Sequence, residues 1–290
     1  MINEEILKYI DKIKDLNILI VGDIILDEYQ YGITIGKSGK SPIVAFENRE
    51  KEIYQGGILA ILNHLKGFCK VDIYSNSNII TKKRYIQGTQ KLFETYTYQK
   101  NLHQEIWNSN STKNISDYDI VLIADFGHGF ITKELQNKLE SESKYISLNT
   151  QLNAGNMGMN TINKYTHRNY ICIDNTELRI AASNQFDTIE DIIKNLFTHE
   201  TVSITDGERG VNLYRNGELI HLPALAKNIV DTIGAGDAYF ALTTPLAYIQ
   251  APLEIIGIIG NIAGAIACSY PGNKYFVTKE KLIEWTQNLS

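Results

Sequence analysis

Residues 231–237 read DTIGAGD, two glycines and an alanine set directly before an aspartate, with a helical run to follow. Gly234 and Gly236 let the backbone turn and approach a ligand closely, and Ala235 adds almost no bulk between them. Successive N–H groups at a helix start, reinforced by the helix dipole, make a hole for an anion such as a transferring phosphoryl group. Asp237 then falls on the first turn, within reach of a proton leaving an attacking hydroxyl. On their own the seven residues fit a glycine turn with a capping aspartate equally well. The accompanying residues favour the phosphate site. SITDGERGVNLY (203–214) sets Thr205, Gly207 and Gly210 where a strand runs into a hairpin, a surface that suits a flat-lying nucleotide. DNTE (174–177) ends another apolar strand with Asp174 and Glu177, two acids three apart that can hold Mg2+ through waters.

Such a site needs strands that end together. Short apolar, β-branched runs at 17–25, 71–76, 119–126, 145–150, 170–174 and 201–207 read as central strands of a mostly parallel sheet with helices on both faces. Helical stretches fall between them: Ile58–Leu65 after a Gly-Gly, Thr132–Glu142, and Thr188–Phe197 behind a capping signal at Asp187 and Glu190. Strand then helix, repeated, predicts an α/β fold, in which ligands collect at the carboxyl ends of the strands. Two segments break the rhythm. Residues 28–50 and 82–100 alternate polar with aromatic or β-branched residues and predict a small β flap at the edge of the main sheet. The helix opened by GAGD, another after Pro252 and a third from Thr278 are expected to stack on one side. With no internal repeat or long linker, residues 1–290 are expected to form one domain carrying this flap as a lid.

Composition narrows the class. Of the 290 residues, 43% are hydrophobic and 21% charged, ordinary for a globular protein, and the net charge is −5. No basic stripe interleaved with aromatics offers itself to nucleic acid or an anionic membrane. Cys69, Cys172 and Cys268 lie far apart in apolar runs without metal spacing, as expected of buried free thiols in a reducing cytoplasm. The amphipathic N-terminus resembles neither a signal peptide nor a span, and LEIIGIIGNIAGAIACSY, broken by glycines behind Pro252, suits a buried helix. A cytoplasmic protein with no membrane and no nucleic-acid partner is expected.

GDIILD at 22–27, GG at 56–57, D-x-x-E at 174–177, TDGERG at 205–210 and DTIGAGD at 231–237 together resemble the ribokinase-like (PfkB) carbohydrate kinases, over nearly the whole chain. Within that family, GDIILDEYQYG and TKKRYIQGTQKLFE are most similar to the kinase module of bacterial heptose-phosphate kinases. The resemblance implies an α/β/α sandwich with a β-sheet lid, and ATP with Mg2+ as cofactors. It implies Asp237 as catalytic base and Gly234, Ala235 and Gly236 as anion hole. Asp27 would bind a sugar hydroxyl, with Gly56 and Gly57 lining the same pocket. Asp174 and Glu177 would organise Mg2+, while Thr205, Gly207, Gly210 and Thr232 line the ATP site with Asn261 nearby. In-line phosphoryl transfer follows, with a loose transition state that tolerates a weak base, an aspartate kept ionised by a helix N-terminus.

The substrate half departs from the family pattern. G-G-x-x-N is usual, but GGILAILNHL puts Ala60 where the sugar-touching asparagine belongs, with Asn63 or His64 a turn later as possible compensation. Asp174 stands where asparagine is more usual, and NTQLNAGNMGMN (149–160) replaces a D-P-K-G segment. Lys83, in KKR (82–84), is a candidate for an acceptor phosphate, and His128, in DFGHG (125–129), for substrate or phosphate. The tyrosines of the flap suit a lid or a dimer seam, and its strand edges a homodimer. Three functions stay open: a sugar or sugar-phosphate kinase with a heptose phosphate favoured, a kinase for a nucleoside or small polyol, and a non-catalytic sugar-binding subunit.

Overall fold

The structure, a computed structural model, describes residues 2–76, 78–98, 105–107 and 114–287. The chain opens with helix α1 (Ile2–Ile13) and strand β1 (Asn17–Gly22). A long hairpin of β2 (Ile24–Lys37) and β3 (Val44–Gly57) leads into α2 (Ile58–Leu65) and β4 (Lys70–Asn76), and a second hairpin pairs β5 (Ile79–Gln87) with β6 (Gln90–Tyr98). Next come β7 (Glu105–Trp107), β8 (Ile120–Asp125), α3 (Lys133–Glu142), β9 (Ile146–Thr150), β10 (Tyr170–Asp174), α4 (Asn175–Ala181), α5 (Ile189–Leu196) and β11 (Thr201–Thr205). The hairpin β12 (Val211–Arg215) and β13 (Glu218–Leu222) precedes α6 (Ala235–Tyr248), α7 (Leu253–Cys268) and α8 (Lys279–Gln287).

The main sheet runs β13-β12-β11-β10-β9-β8-β1-β4-β7. It is parallel from β4 through β11 and antiparallel at its two ends. Strand alternation makes it the middle of three layers. In β1, Ile18 and Ile20 face the core shared with α1, α2, α6, α7 and α8, while Leu19 and Val21 face the core shared with α3, α4 and α5. β8 and β10 split in the same way, Leu122 and Cys172 to one side, Ile123 and Ile171 to the other. Each fully buried Ile or Leu contributes about 1.5–3 kcal/mol relative to exposure, which is why these apolar runs become central strands. The three C-terminal helices share one core, as their order predicts.

A second sheet, ordered β3-β2-β5-β6, holds the two alternating segments. Residues 99 and 100 of the second segment lie outside the described residues. Two local expectations shift. The run 17–25 is two strands: β1 ends at Gly22, where a Cβ would lie 2.2 Å from the Ala124 carbonyl oxygen, and the chain passes through Asp23 into the small sheet. The cap of α5 is Thr188, whose Oγ1 accepts from Asp191 N–H at 3.1 Å; Asp187 accepts instead from Asn184. Thr188 holds the extended backbone that an N-cap requires, so the signal moves one residue along.

Candidate active site

A cavity of about 600 Å³ opens where the carboxyl ends of the main strands meet the small sheet. The DTIGAGD stretch forms part of its wall. Gly234 is the N-cap of α6 with φ 84°, a left-handed conformation that favours glycine, and no side chain caps this helix. A Cβ at Gly236 would meet no protein atom within 4 Å, so the peptide faces open cavity. Ala235 N–H donates back to Thr232 O at 3.3 Å, which leaves the N–H groups of Gly236 and Asp237, with no helical acceptor, turned to whatever fills the space. Asp237 sits in that first turn, half-buried at the cavity wall. Burial, then the charge of Asp27, pushes its carboxyl up to about 7, with Lys82 pulling the other way. The helix N-terminus therefore does not by itself keep this acid fully ionised near neutrality, because loss of water outweighs it.

The small sheet supplies the opposite wall. Asp27 on β2 pairs across the sheet with Tyr54 on β3 and Lys82 on β5, and Tyr29 pairs with Arg84, so these side chains share the inner face. Arg84 Nη1 lies 2.5 Å from Asp27 Oδ1, and its Nε lies 3.3 Å from Glu94 on β6. A Cβ at Gly56 would sit 2.3 Å from Asp27 Oδ2, so only glycine leaves room for that carboxylate. Lys82 is 6% exposed, lines the cavity, and makes no ion pair among the described residues. Its ammonium lies over the rings of Tyr96 and Phe126 at 5.6 and 5.9 Å, and burial lowers its pKa.

The cavity lining also includes Ala224, Leu225 and Ala226 beyond β13, and Gly260, Gly264 and Ala265 of α7. Thr205, Gly207, Gly210, Thr232 and Asn261 all belong to it. Gly210, with φ 94°, passes so close to the next hairpin that a Cβ would lie 2.0 Å from Leu222 O. Asn261 donates to Pro223 O at 2.9 Å, tying α7 to the chain beyond β13. The small residues in this part of the lining leave room that suits a nucleotide base.

Asp174 and Glu177 form a reciprocal capping box on α4. Asp174 Oδ1 accepts from Glu177 N–H at 2.7 Å, and Glu177 Oε2 from Asp174 N–H at 2.8 Å. Glu177 Oε1 also accepts from Leu152 N–H, at 3.0 Å. Burial and the neighbouring Asp174 charge raise the Glu177 pKa. Asp174 lines the cavity while Glu177 stands behind it, so only Asp174 has an open face. No cluster of three metal-ligating side chains occurs among the described residues. The donor set fits Mg2+ held by one carboxylate, waters and phosphate oxygens rather than an all-protein cage.

Four candidate residues lie elsewhere. Lys83 points to the outer face of the small sheet and pairs with Glu28 at 2.8 Å; the strand period of two sends Lys82 and Arg84 to the cavity in its place. Asn63 donates to Gln55 at 2.6 Å and accepts from Lys66 at 2.8 Å, outside the cavity. His64 is buried, accepting from Val277 N–H at 3.1 Å, and burial takes its pKa down to about 4. His128 stands behind the cavity lining beside Tyr96 and Tyr98, its pKa also brought down to about 4 by burial and the Lys82 charge. The asparagine-rich segment is a self-bonded loop. Asn153 and Asn156 donate to Phe126 O and Asn160 to Asp125 O, and Gln151 reaches the cavity.

Comparison with known proteins bears on the family and the fold. The model of the pfkB family carbohydrate kinases matches residues 74–280. The Bifunctional protein HldE of Syntrophotalea carbinolica is 22% identical over 305 residues, covering 91% of this chain. The chain spans only 62% of that relative's length. Arabidopsis thaliana ribokinase, solved with ribose and ATP, superposes with a TM-score of 0.67 at 13% identity, covering 93% of this chain and 98% of its own. Escherichia coli phosphofructokinase-2, solved with substrates and products, also gives 0.67, at 12% identity, covering 94% and 99%. The ribokinase-like α/β fold is thus shared across the chain. No helix among the described residues is long and apolar enough to cross a membrane.

Proposed function

The chain belongs to the pfkB family of carbohydrate kinases, and on that premise we propose that it moves the γ-phosphoryl group of ATP to a hydroxyl of a sugar phosphate. The observation that carries this reading is Asp237 beneath the uncapped start of α6, in one cavity with Asp27, Lys82 and Arg84. The acceptor hydroxyl oxygen forms the new bond to phosphorus as the bond from phosphorus to the ADP oxygen breaks, and the hydroxyl proton passes to Asp237. A carboxyl with a pKa near 7 suits that task, since a base works best when matched to the ambient pH. The N–H groups of Gly236 and Asp237 face the transferred group, and Asp27 orients the acceptor hydroxyls. Asp174 would hold Mg2+, with Glu177 fixing its rotamer; the ion supplies neutralisation of phosphate charge. Thr205, Gly207, Gly210, Thr232 and Asn261, all in the cavity lining, would border the nucleotide.

Lys82 supports a phosphorylated acceptor. Its ammonium makes no ion pair among the described residues, and the charges of Asp27, Asp237 and Glu94 offset its burial only in part, so a phosphate on the acceptor would supply the remaining negative charge. The similarity of GDIILDEYQYG and TKKRYIQGTQKLFE to heptose-phosphate kinases favours a heptose phosphate. A nucleoside or polyol kinase is the second reading, favoured by Arg84 being already matched by Asp27 and Glu94. The test is ADP release with ATP and Mg2+ over heptose 7-phosphates, hexose phosphates, free sugars and nucleosides, run beside Asp237→Asn. Turnover with a sugar phosphate that falls about 100-fold or more in the variant is expected. Turnover with uncharged acceptors alone selects the second reading. ATP binding without turnover favours a sugar-binding subunit, and absence of ATP binding overturns the kinase reading.

A further inference from the structure

Asp231 opens the DTIGAGD stretch, lies outside the cavity lining and is 7% exposed, yet it collects four donors. Tyr29 on β2 donates its hydroxyl to Oδ2 at 2.5 Å, and Gly272 N–H reaches the same oxygen at 2.9 Å. Lys91 on β6 donates its ammonium to Oδ1 at 2.6 Å, and Ile233 N–H reaches that oxygen at 3.2 Å. Burial acts to raise the pKa of this carboxyl, but Lys91, Tyr29 and the two N–H groups outweigh it and hold it below the usual carboxylate range.

Two of the donors belong to the small sheet and two to the body of the protein. An apolar seam follows the same line: Tyr29, Tyr54 and Ile86 of the small sheet pack with Ile233 of the loop. The loop is held from behind as well. Val230 N–H and Asp231 N–H both donate to Cys268 O, at 2.8 and 3.2 Å, and Gly234 abuts Asn273 so closely that a Cβ would lie 1.9 Å from its side-chain oxygen. Asp231 is three residues before the N-cap of α6 and six before Asp237. Moving Asp231 therefore moves the anion hole and the base together.

We propose that Lys91, assisted by Tyr29, is a positioning residue for the 231–237 loop: its ammonium, carried on the small sheet, grips Asp231 so that Gly234–Asp237 adopt working geometry when that sheet is seated. Lys91 touches none of the groups that would meet substrate; it acts through Asp231. Removing it leaves a buried carboxylate short of its charged donor, the costly half of a broken ion pair. The effect on turnover rests on the kinase reading, whereas the grip itself does not.

The test uses the full chain as wild type, Lys91→Met and Lys91→Arg, with amide hydrogen exchange and steady-state kinetics measured on each. The Lys91 side chain is 39% exposed, so the methionine variant is expected to fold. Faster exchange across 228–238 is expected in Lys91→Met, with β8 to β11 unchanged. kcat should fall about ten-fold, the scale of one lost charge-assisted bond, while KM for ATP stays within about two-fold. Lys91→Arg, keeping the charge, should recover most of both. Unchanged exchange or unchanged kcat in Lys91→Met overturns the proposal, as does an arginine variant as impaired as the methionine one. If the wild type turns over no acceptor, the kinase reading fails, and the exchange comparison alone still decides the grip.

Discussion

At the scale of the residue, the functional weight falls on carboxyls whose surroundings differ. Asp237 is raised to about 7 by burial and by Asp27, while Asp231 is held down by Lys91 and Tyr29. The sign of each effect on pH dependence follows. A base must be ionised to accept a proton, so kcat should rise with pH through about 7 and level off above it; a flat profile between pH 5.5 and 8.5 would remove Asp237 as the base. Stability runs the other way. With a folded pKa above the unfolded value near 3.8, the native state binds more protons between them, so this group's contribution declines as pH rises from about 4 to about 7. Asp237→Asn should therefore melt higher than wild type at pH 8 and close to it at pH 4. In the sequence, spacing to glycines singles out Asp237, whereas Asp27 enters only through the resemblance of GDIILD to the family. Sequence alone chose Lys83 over Lys82 and Arg84, because which face of β5 points inward depends on pairing with β2, and no local residue reports that register.

At the scale of the element, two helix starts serve different ends. α3 begins at Thr132, whose hydroxyl accepts from Leu135 N–H at 3.2 Å, so its free donors are partly satisfied by the chain itself. α6 begins at Gly234 with no side-chain cap, leaving its Gly236 and Asp237 donors to a ligand. Substitutions should separate the two roles. Thr132→Ala is expected to lower unfolding free energy by about 1 kcal/mol in urea titration and leave kinetics untouched. Gly234→Ala forces a Cβ into a left-handed site, at about 1–2 kcal/mol, and against Asn273, so ATP affinity and turnover should fall together. Equal ATP affinity in that variant would mean the loop does not face the phosphates. Most helices were readable from periodicity and caps, but α4 (Asn175–Ala181) was not. D-x-x-E was readable as a pair of acids but not as a mutual cap that spends Glu177 on backbone and leaves Asp174 open.

At the scale of the molecule, the small sheet has two faces with different duties. Its inner face carries Asp27, Tyr29, Lys82 and Arg84 to the cavity and the loop. Its outer face carries Ile53, the stacked rings of Tyr85 and Phe93 at 4.4 Å, and the Lys83–Glu28 pair, and Ile35, Ile43 and Val44 stand exposed where the hairpin extends. Polar alternation would have sufficed if this face met only water, so large apolar side chains there favour a covering partner. A second copy of the chain is the proposed partner, because among the described residues β3 and β6 also leave unpaired strand edges that a matching sheet would cover. Light scattering on the eluting protein should give twice the chain mass, and Ile53→Asp with Phe93→Asp should halve it. Since those side chains point away from the cavity, ATP affinity should survive the split. The grip on Asp231, however, depends on how firmly the small sheet is seated. A dimer that braces two such sheets against each other would make kcat fall on dissociation while ATP affinity holds, and a monomeric wild type with full turnover would sever that link.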